Sequence, residues 1–223
     1  MDAHVNWPAE FSTVIRCTRC TTSICKNLLR DSEENVPQPG FIGSRYADKR
    51  VLLVGQNPAI TKSDRALIAD KPYTAALRKL RDNPTGANFM ALLTITEGFM
   101  PSWRVHQDYF PLRESGLALG DLAYLNIVRC RTASFNQRRK LDDAPPNQNV
   151  INNCVDNHFD RWVSLLAPRV IVFIGKFAHD HAHHIAAARG IPYDYLNRER
   201  SLDSTSRNLD KFRVSKLIRE IVG

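Results

Sequence analysis

No apolar run in the sequence approaches the ~20 residues of a membrane-spanning helix, so no membrane partner is expected. The first residues, Met1-Asp2-Ala3-His4-Val5-Asn6-Trp7-Pro8, lack the charged and apolar regions of a secretory signal, and a cytoplasmic location is the expectation. There is no internal repeat, low-complexity tract or clean linker, which predicts one domain over residues 1–223. Only five cysteines occur, with a single C-x2-C pair, and a reducing compartment turns such a set toward metal rather than disulfides. No Glu stands between His179 and His183, so the helical zinc-hydrolase pattern H-E-x-x-H is missing; His179, His181, His183 and His184 read as solvent-facing helix residues.

What is present is a chain long enough to bury a full core, with 43% hydrophobic and 24% charged residues. Its net charge of +8 favours a polyanionic partner, against the plainer reading of a basic protein with no such role. Helices are expected at residues 9–16 and 21–30, followed by a proline- and glycine-bearing loop over 33–48. Val51-Leu52-Leu53-Val54 then has the composition of a buried parallel strand. Residues 60–70 read as a polar, irregular pocket wall, and 73–80 and 87–98 as helices. A second strand is expected at 122–128 and a basic loop at 131–147. A helix over 149–166 and a strand at 169–174 follow. Next come a helix to about 189 and a strand at 191–196. The last helix, about 208–222, would turn Leu209, Phe212, Leu217 and Ile221 inward. Strands alternating with helix-length crossovers predict a three-layer α/β/α sandwich on a mostly parallel four-stranded sheet.

Polar groups recur where these strands end. Gly55-Gln56-Asn57-Pro58-Ala59 follows the first strand, Asn126 and Arg129 end the second, Gly175 the third and Asn197 the fourth. Ligands of open α/β sheets bind beyond the carboxyl ends of strands, so these groups could share one crevice, although strand-end amides also cap loops. Asn126 is the least ordinary of them. It replaces an apolar residue within Leu-Asn-Ile-Val and offers a donor beside an acceptor, which suits the edge of a nucleobase. Cys17, Cys20, Cys130 and Cys154 could hold zinc or an iron–sulfur cluster, or be dispersed core thiols; Cys25 is the odd one.

Taken in order, Cys17-x-x-Cys20, Gly55-Gln-Asn-Pro58, Asn126-Ile-Val-Arg-Cys-Arg131, Cys154 and Pro168-Arg-Val-Ile-Val-Phe-Ile-Gly175 resemble the iron–sulfur class of the uracil-DNA glycosylase superfamily. The resemblance spans residues 17 to about 180. It implies a [4Fe–4S] cluster, rather than zinc, on Cys17, Cys20, Cys130 and Cys154, and DNA as the partner of a monomeric enzyme. It places Gln56 and Asn57 at the water-activating position and Asn126 on the flipped base. Gly55, Pro58 and Ala59 would line the pocket, and Tyr73 would stack on the base. The sequence departs from the class at its last motif. Tyr195-Leu-Asn-Arg-Glu-Arg-Ser201 stands where His-Pro-Ser is usual, so Asn197 would become the base-side donor.

Hydrolysis of the N-glycosidic bond of uracil or of a 5-modified pyrimidine, as in hypermodified phage DNA, is the expected activity, in repair or in antiviral defence. Arg131, Arg138, Arg139, Lys140, Arg198 and Arg200 would grip the backbone of DNA whose base has been rotated out. Arg138, Arg139 and Lys140 could equally form a solvated loop. The competing expectation is a non-catalytic DNA-binding module with the same fold and metal centre, suggested by the missing His-Pro-Ser.

Overall fold

The computed structural model describes residues 4–20, 27–29, 36–58, 64–103, 109–135, 141–197 and 204–223. Its helices are α1 (Trp7–Ile15), α2 (Tyr46–Lys49), α3 (Asp64–Asp82), α4 (Gly86–Phe99), α5 (Gln148–Cys154), α6 (Asp160–Leu166), α7 (Lys176–Ala188) and α8 (Ser204–Val222). Its strands are β1 (Leu28–Leu29), β2 (Phe41–Ile42), β3 (Val51–Gly55), β4 (Leu122–Asn126), β5 (Arg131–Phe135), β6 (Leu141–Asp143), β7 (Val170–Ile174) and β8 (Tyr193–Leu196).

The central sheet has the order β2-β4-β3-β7-β8. The β4–β3, β3–β7 and β7–β8 pairs are parallel, and only β2 runs antiparallel, on β4. The α/β/α expectation is met, with five strands in place of four. Phe41 and Ile42 were too short a run to separate from the surrounding loop.

Alternation along β3 divides the core between the two faces of the sheet. Leu52 and Val54 join the larger cluster with α1, α3, α4, α6 and α7, where Phe11, Leu77, Leu92 and Trp162 are fully or almost fully buried. Val51 and Leu53 face the other way, against Phe110, Leu117 and the α8 residues Val214, Ile218 and Val222. Every β3 residue is buried, as a strand covered on both faces requires.

Several expectations need correction. Leu28 and Leu29 pair with β5 as a strand instead of ending a helix. The basic stretch after residue 130 is not all loop: β5 and β6 form an antiparallel pair within it, in a second sheet of order β1-β5-β6. Residues 64–70 are helical, because α3 begins well before the apolar spacing at 73–80 and continues through Pro72. On α8 the inward face is Val214, Ser215, Ile218 and Val222, whereas Leu209 and Phe212 are each 64% exposed. Arg213 fixes that rotation. It donates to Asp194 at 2.6 Å, Asp210 at 3.0 Å and the Tyr195 carbonyl at 2.8 Å, tying α8 to β8. No helix among the described residues is long and apolar enough to cross a membrane.

Candidate functional site

The parallel register sets Gly55 opposite Asn126 at the carboxyl ends of β3 and β4. The ladder continues one step past the strands: Ile127 donates to the Gly55 carbonyl at 2.9 Å and Val128 to that of Gln56 at 3.0 Å. This holds the Gly-Gln-Asn-Pro turn rigidly against the Asn-Ile-Val-Arg segment. Leu122, Tyr124 and Asn126 alternate onto one face of β4, and the Tyr124 hydroxyl donates to Asn126 Oδ1 at 3.2 Å. With its oxygen occupied, Asn126 keeps its NH2 group for a ligand; the residue is only 8% exposed.

Gly55 makes room for this pair. A Cβ there would lie 2.4 Å from Tyr124 Oη and 2.5 Å from Asn126 Oδ1. Any side chain at 55 would push the amide out of place. Trp103 packs its ring 5.3 Å from that of Tyr124 and forms an aromatic wall beside the pair.

Asn57 is oriented from the opposite side. Its Nδ2 donates to Thr132 Oγ1 at 3.1 Å and to the Pro58 carbonyl at 3.3 Å. Thr132, fully buried on β5, donates its own hydroxyl hydrogen bond to the Ala144 carbonyl at 2.5 Å. Both amide protons of Asn57 are thus engaged, and its Oδ1 is the atom left to accept from a water. A side-chain amide oxygen is a poor base but a good anchor for water.

The other expected site residues fall in different places. Asn197 lies just beyond β8 on the same sheet edge, with its backbone N–H on Asp210 at 3.1 Å. Three strand spacings, about 14 Å, separate β8 from β4, so the sheet alone does not bring Asn197 to Asn126. Tyr73 is 6% exposed in the larger core cluster, beside the Arg129 guanidinium. Arg131 is 8% exposed, buried within the fold and not spread on its surface. Ala59, Arg138, Arg139, Lys140, Arg198, Arg200 and Cys25 lie outside the described residues.

The cysteines assemble on the larger-cluster side of the same turn. Cys20, Cys130 and Cys154 are buried, Cys17 is half-buried, and none of the four is in a disulfide. The Cys154 thiol is pushed up, first by its hydrogen bond with Cys20 and then by burial; Cys130 adds to this, and the Arg129 backbone N–H opposes it. A π-helical turn, Val155–Phe159, interrupts the helix directly after Cys154 and carries His158, whose Nε2 lies 3.1 Å from Cys17 Sγ. Burial, and then the charges of Arg129 and Arg19, pull His158 down to about 4, so the ring is neutral. Asn153 Nδ2 donates to Cys20 Sγ at 3.7 Å.

Among the described residues, no group of three or more His, Cys, Asp or Glu side chains is arranged to hold a metal ion as it stands. The hydrogen bond of Cys154 with Cys20, and the effect of Cys130 on the same thiol, make these three sulfurs neighbours. Ligation needs sulfurs about 2.3 Å from a common centre, whereas perturbation needs only neighbouring thiols.

Tyr124, Trp103, Thr132, Asn153 and His158 were not singled out from the sequence. Tyr124 stands two residues before Asn126 on a strand, and His158 four residues after Cys154 on a helix, and those two spacings could have found them. Thr132 carried no such signal.

A family model described as "Uracil DNA glycosylase superfamily" matches residues 43–215, more than three quarters of the chain, and the match contains both amide-bearing strand ends. No curated protein matches the chain.

Proposed function

The chain belongs to the uracil DNA glycosylase superfamily, and from that premise we propose that it hydrolyses the N-glycosidic bond of uracil or a 5-modified pyrimidine in DNA. The observation that carries this reading is a pair of oriented amides at the adjacent carboxyl ends of β3 and β4: Asn57 with both amide protons engaged, and Asn126 with its oxygen accepting from Tyr124.

Glycosidic cleavage passes through an oxocarbenium-like sugar while negative charge develops on the departing base. Asn126 donates to the base, and that bond strengthens as charge arrives; fixed donors of this kind stabilise a transition state more than a ground state. Gly55 and Tyr124 keep the donor aimed. Asn57 holds the attacking water at the anomeric carbon through Oδ1, a positioning task in which the water's proton is lost only after the cation has formed. Gln56 and Pro58 complete the turn that lines the pocket. Trp103 offers the base an aromatic wall. Rotating the base out costs a few kcal/mol, which a chain of net charge +8 recovers in part from phosphate contacts.

Cys17, Cys20, Cys130 and Cys154 are the residues that would hold a [4Fe–4S] cluster. The chemistry of the donor set suits it: four soft ligands, three of them buried, with an amide and a backbone N–H donating to sulfurs and an imidazole nitrogen in contact with a third. When bound, the group would cross-link the segment after α1, the end of β4 and α5, a structural contribution. Packed thiols resist ionising beside one another, and a cation reverses that balance.

Base release by purified protein, read by mass from matched DNAs holding uracil, cytosine, 5-hydroxymethylcytosine or glucosylated cytosine, tests the reading. Release of uracil identifies a repair-type substrate, and release only from the 5-modified DNAs identifies a defence-type one. DNA binding without release from any of them would refute the enzymatic reading.

A further inference from the structure

Arg129 is the most anomalous side chain in the structure. It is 1% exposed, and no carboxylate lies within ion-pair distance of it among the described residues. Its Nη1 donates to the Pro39 carbonyl at 2.9 Å, while Nε and Nη2 have no partner. Its guanidinium lies over the Trp162 ring at 5.2 Å. One stacked ring and one carbonyl do not neutralise a charge removed from water, and an unpaired buried cation is among the costliest features a core can hold. The groups beside it are Cys154, Tyr73 and His158, and its own chain neighbour is Cys130.

Four thiolates around a zinc ion, or around an oxidised [4Fe–4S] core, leave a net negative charge. We propose that Arg129 is the built-in counter-charge of an anionic thiolate-bound metal centre at Cys17, Cys20, Cys130 and Cys154, a positioning residue whose two unpartnered N–H groups complete that centre's outer shell. The inference rests on the metal reading given above and adds to it why a lone cation is tolerated in this core. The Asn153 Nδ2 and Arg129 backbone N–H donors on the sulfurs carry no charge, whereas the Arg129 guanidinium, buried with two unpartnered nitrogens beside Cys154, does.

The test begins by counting iron, sulfide and zinc per chain in anaerobically purified wild type. Arg129→Met, which keeps bulk and removes charge, and Arg129→Lys, which keeps charge, are then compared with wild type. The readout is the rate of metal loss in excess chelator, followed by visible absorbance or a zinc dye. The Met variant should lose metal about tenfold to a hundredfold faster, the usual effect of an outer-shell loss. The Lys variant should stay much closer to wild type. Equal rates for Met variant and wild type would overturn the proposal. So would equal loss by Lys and Met, since shape rather than charge would then be what Arg129 supplies. If the Met variant does not fold, Arg129→Gln, neutral but able to reach the Pro39 carbonyl, takes its place. Wild type with neither iron nor zinc would remove the metal reading itself; a metal-bearing wild type with an unaffected Met variant would remove only the role of Arg129.

Discussion

Gly55→Ala probes the site through one methyl group. Strand geometry at position 55 accepts alanine, and alanine restricts the unfolded chain, a gain of about 0.4–1 kcal/mol where the backbone is compatible. Against that, the new Cβ would meet Tyr124 Oη at 2.4 Å and Asn126 Oδ1 at 2.5 Å. Ordinary contact begins near 3.4 Å, so both groups must retreat by about an ångström, and overpacking of this kind costs about 1–3 kcal/mol. The net loss of stability is therefore modest, about 0–2.5 kcal/mol, and the protein stays folded. Activity should suffer far more, because the retreat moves the base-binding amide itself. A displacement of about 1 Å at a reacting centre costs about 10²-fold. Single-turnover base release and urea denaturation, run on the same preparations, separate the two effects. Activity within a few-fold of wild type in a folded Gly55→Ala protein would refute the placement of Asn126 against the base. A loss of activity no larger than the unfolded fraction would refute it equally.

Other expectations follow from the same geometry. Asn57→Ala removes the water anchor and should lower single-turnover release by about 10²-fold or more with DNA affinity little changed; titration and release assays read both. Thr132→Val keeps shape but strips Asn57 of its orienting partner, and should cut release about tenfold while costing about 1 kcal/mol of stability by denaturant unfolding. On the proposed [4Fe–4S] reading, Cys154→Ser should abolish the cluster's visible absorbance and lower Tm, and an unchanged spectrum would exclude Cys154 as a ligand. Burial pushes the Asp121 carboxyl up, but hydrogen bonds from Arg45 and the Ala118 N–H outweigh it and hold the group below the usual carboxylate range, so it stabilises the fold above its unfolded pKa. That contribution disappears as pH falls through the folded value, so Asp121→Asn should lose less Tm than wild type on acidification below about pH 4.

How much of this could be read from residues alone depended on which physical signal carried it. The buried strands β3 and β7 were legible because near-continuous runs of large apolar residues flanked by turns have few alternatives in a parallel sheet, and β4 because its apolar residues continue through Ile127 and Val128. The strand-end amides were legible for the same reason, since a strand's carboxyl end fixes where its next residues go. The β5–β6 pair was not, because Arg131, Pro145 and Pro146 give its surroundings the composition of a loop, and its register comes from pairing rather than local preference. Helix α8 carries apolar residues on two faces. Periodicity therefore could not choose between Leu209 with Phe212 and Val214 with Ile218, and Arg213 together with sheet contact made the choice. At the site, Asn126 and Asn57 could be picked out as residues, but not the atoms they present. Those depend on Tyr124 and Thr132, and Thr132 reaches Asn57 across 75 positions in sequence.

The reading that Asn57 and Asn126 support cleavage of a glycosidic bond rests on their placement at the adjacent ends of β3 and β4. Its most direct measurement counts abasic sites formed in uracil- or 5-modified-pyrimidine DNA by wild type and by Asn126→Ala, with the affinity of each for the same DNA determined in parallel. Wild type should form one abasic site per released base, and the variant should lose about 10²-fold or more at nearly unchanged affinity. Undiminished abasic-site formation by Asn126→Ala, or none by wild type on any of these DNAs while it binds them, would contradict it.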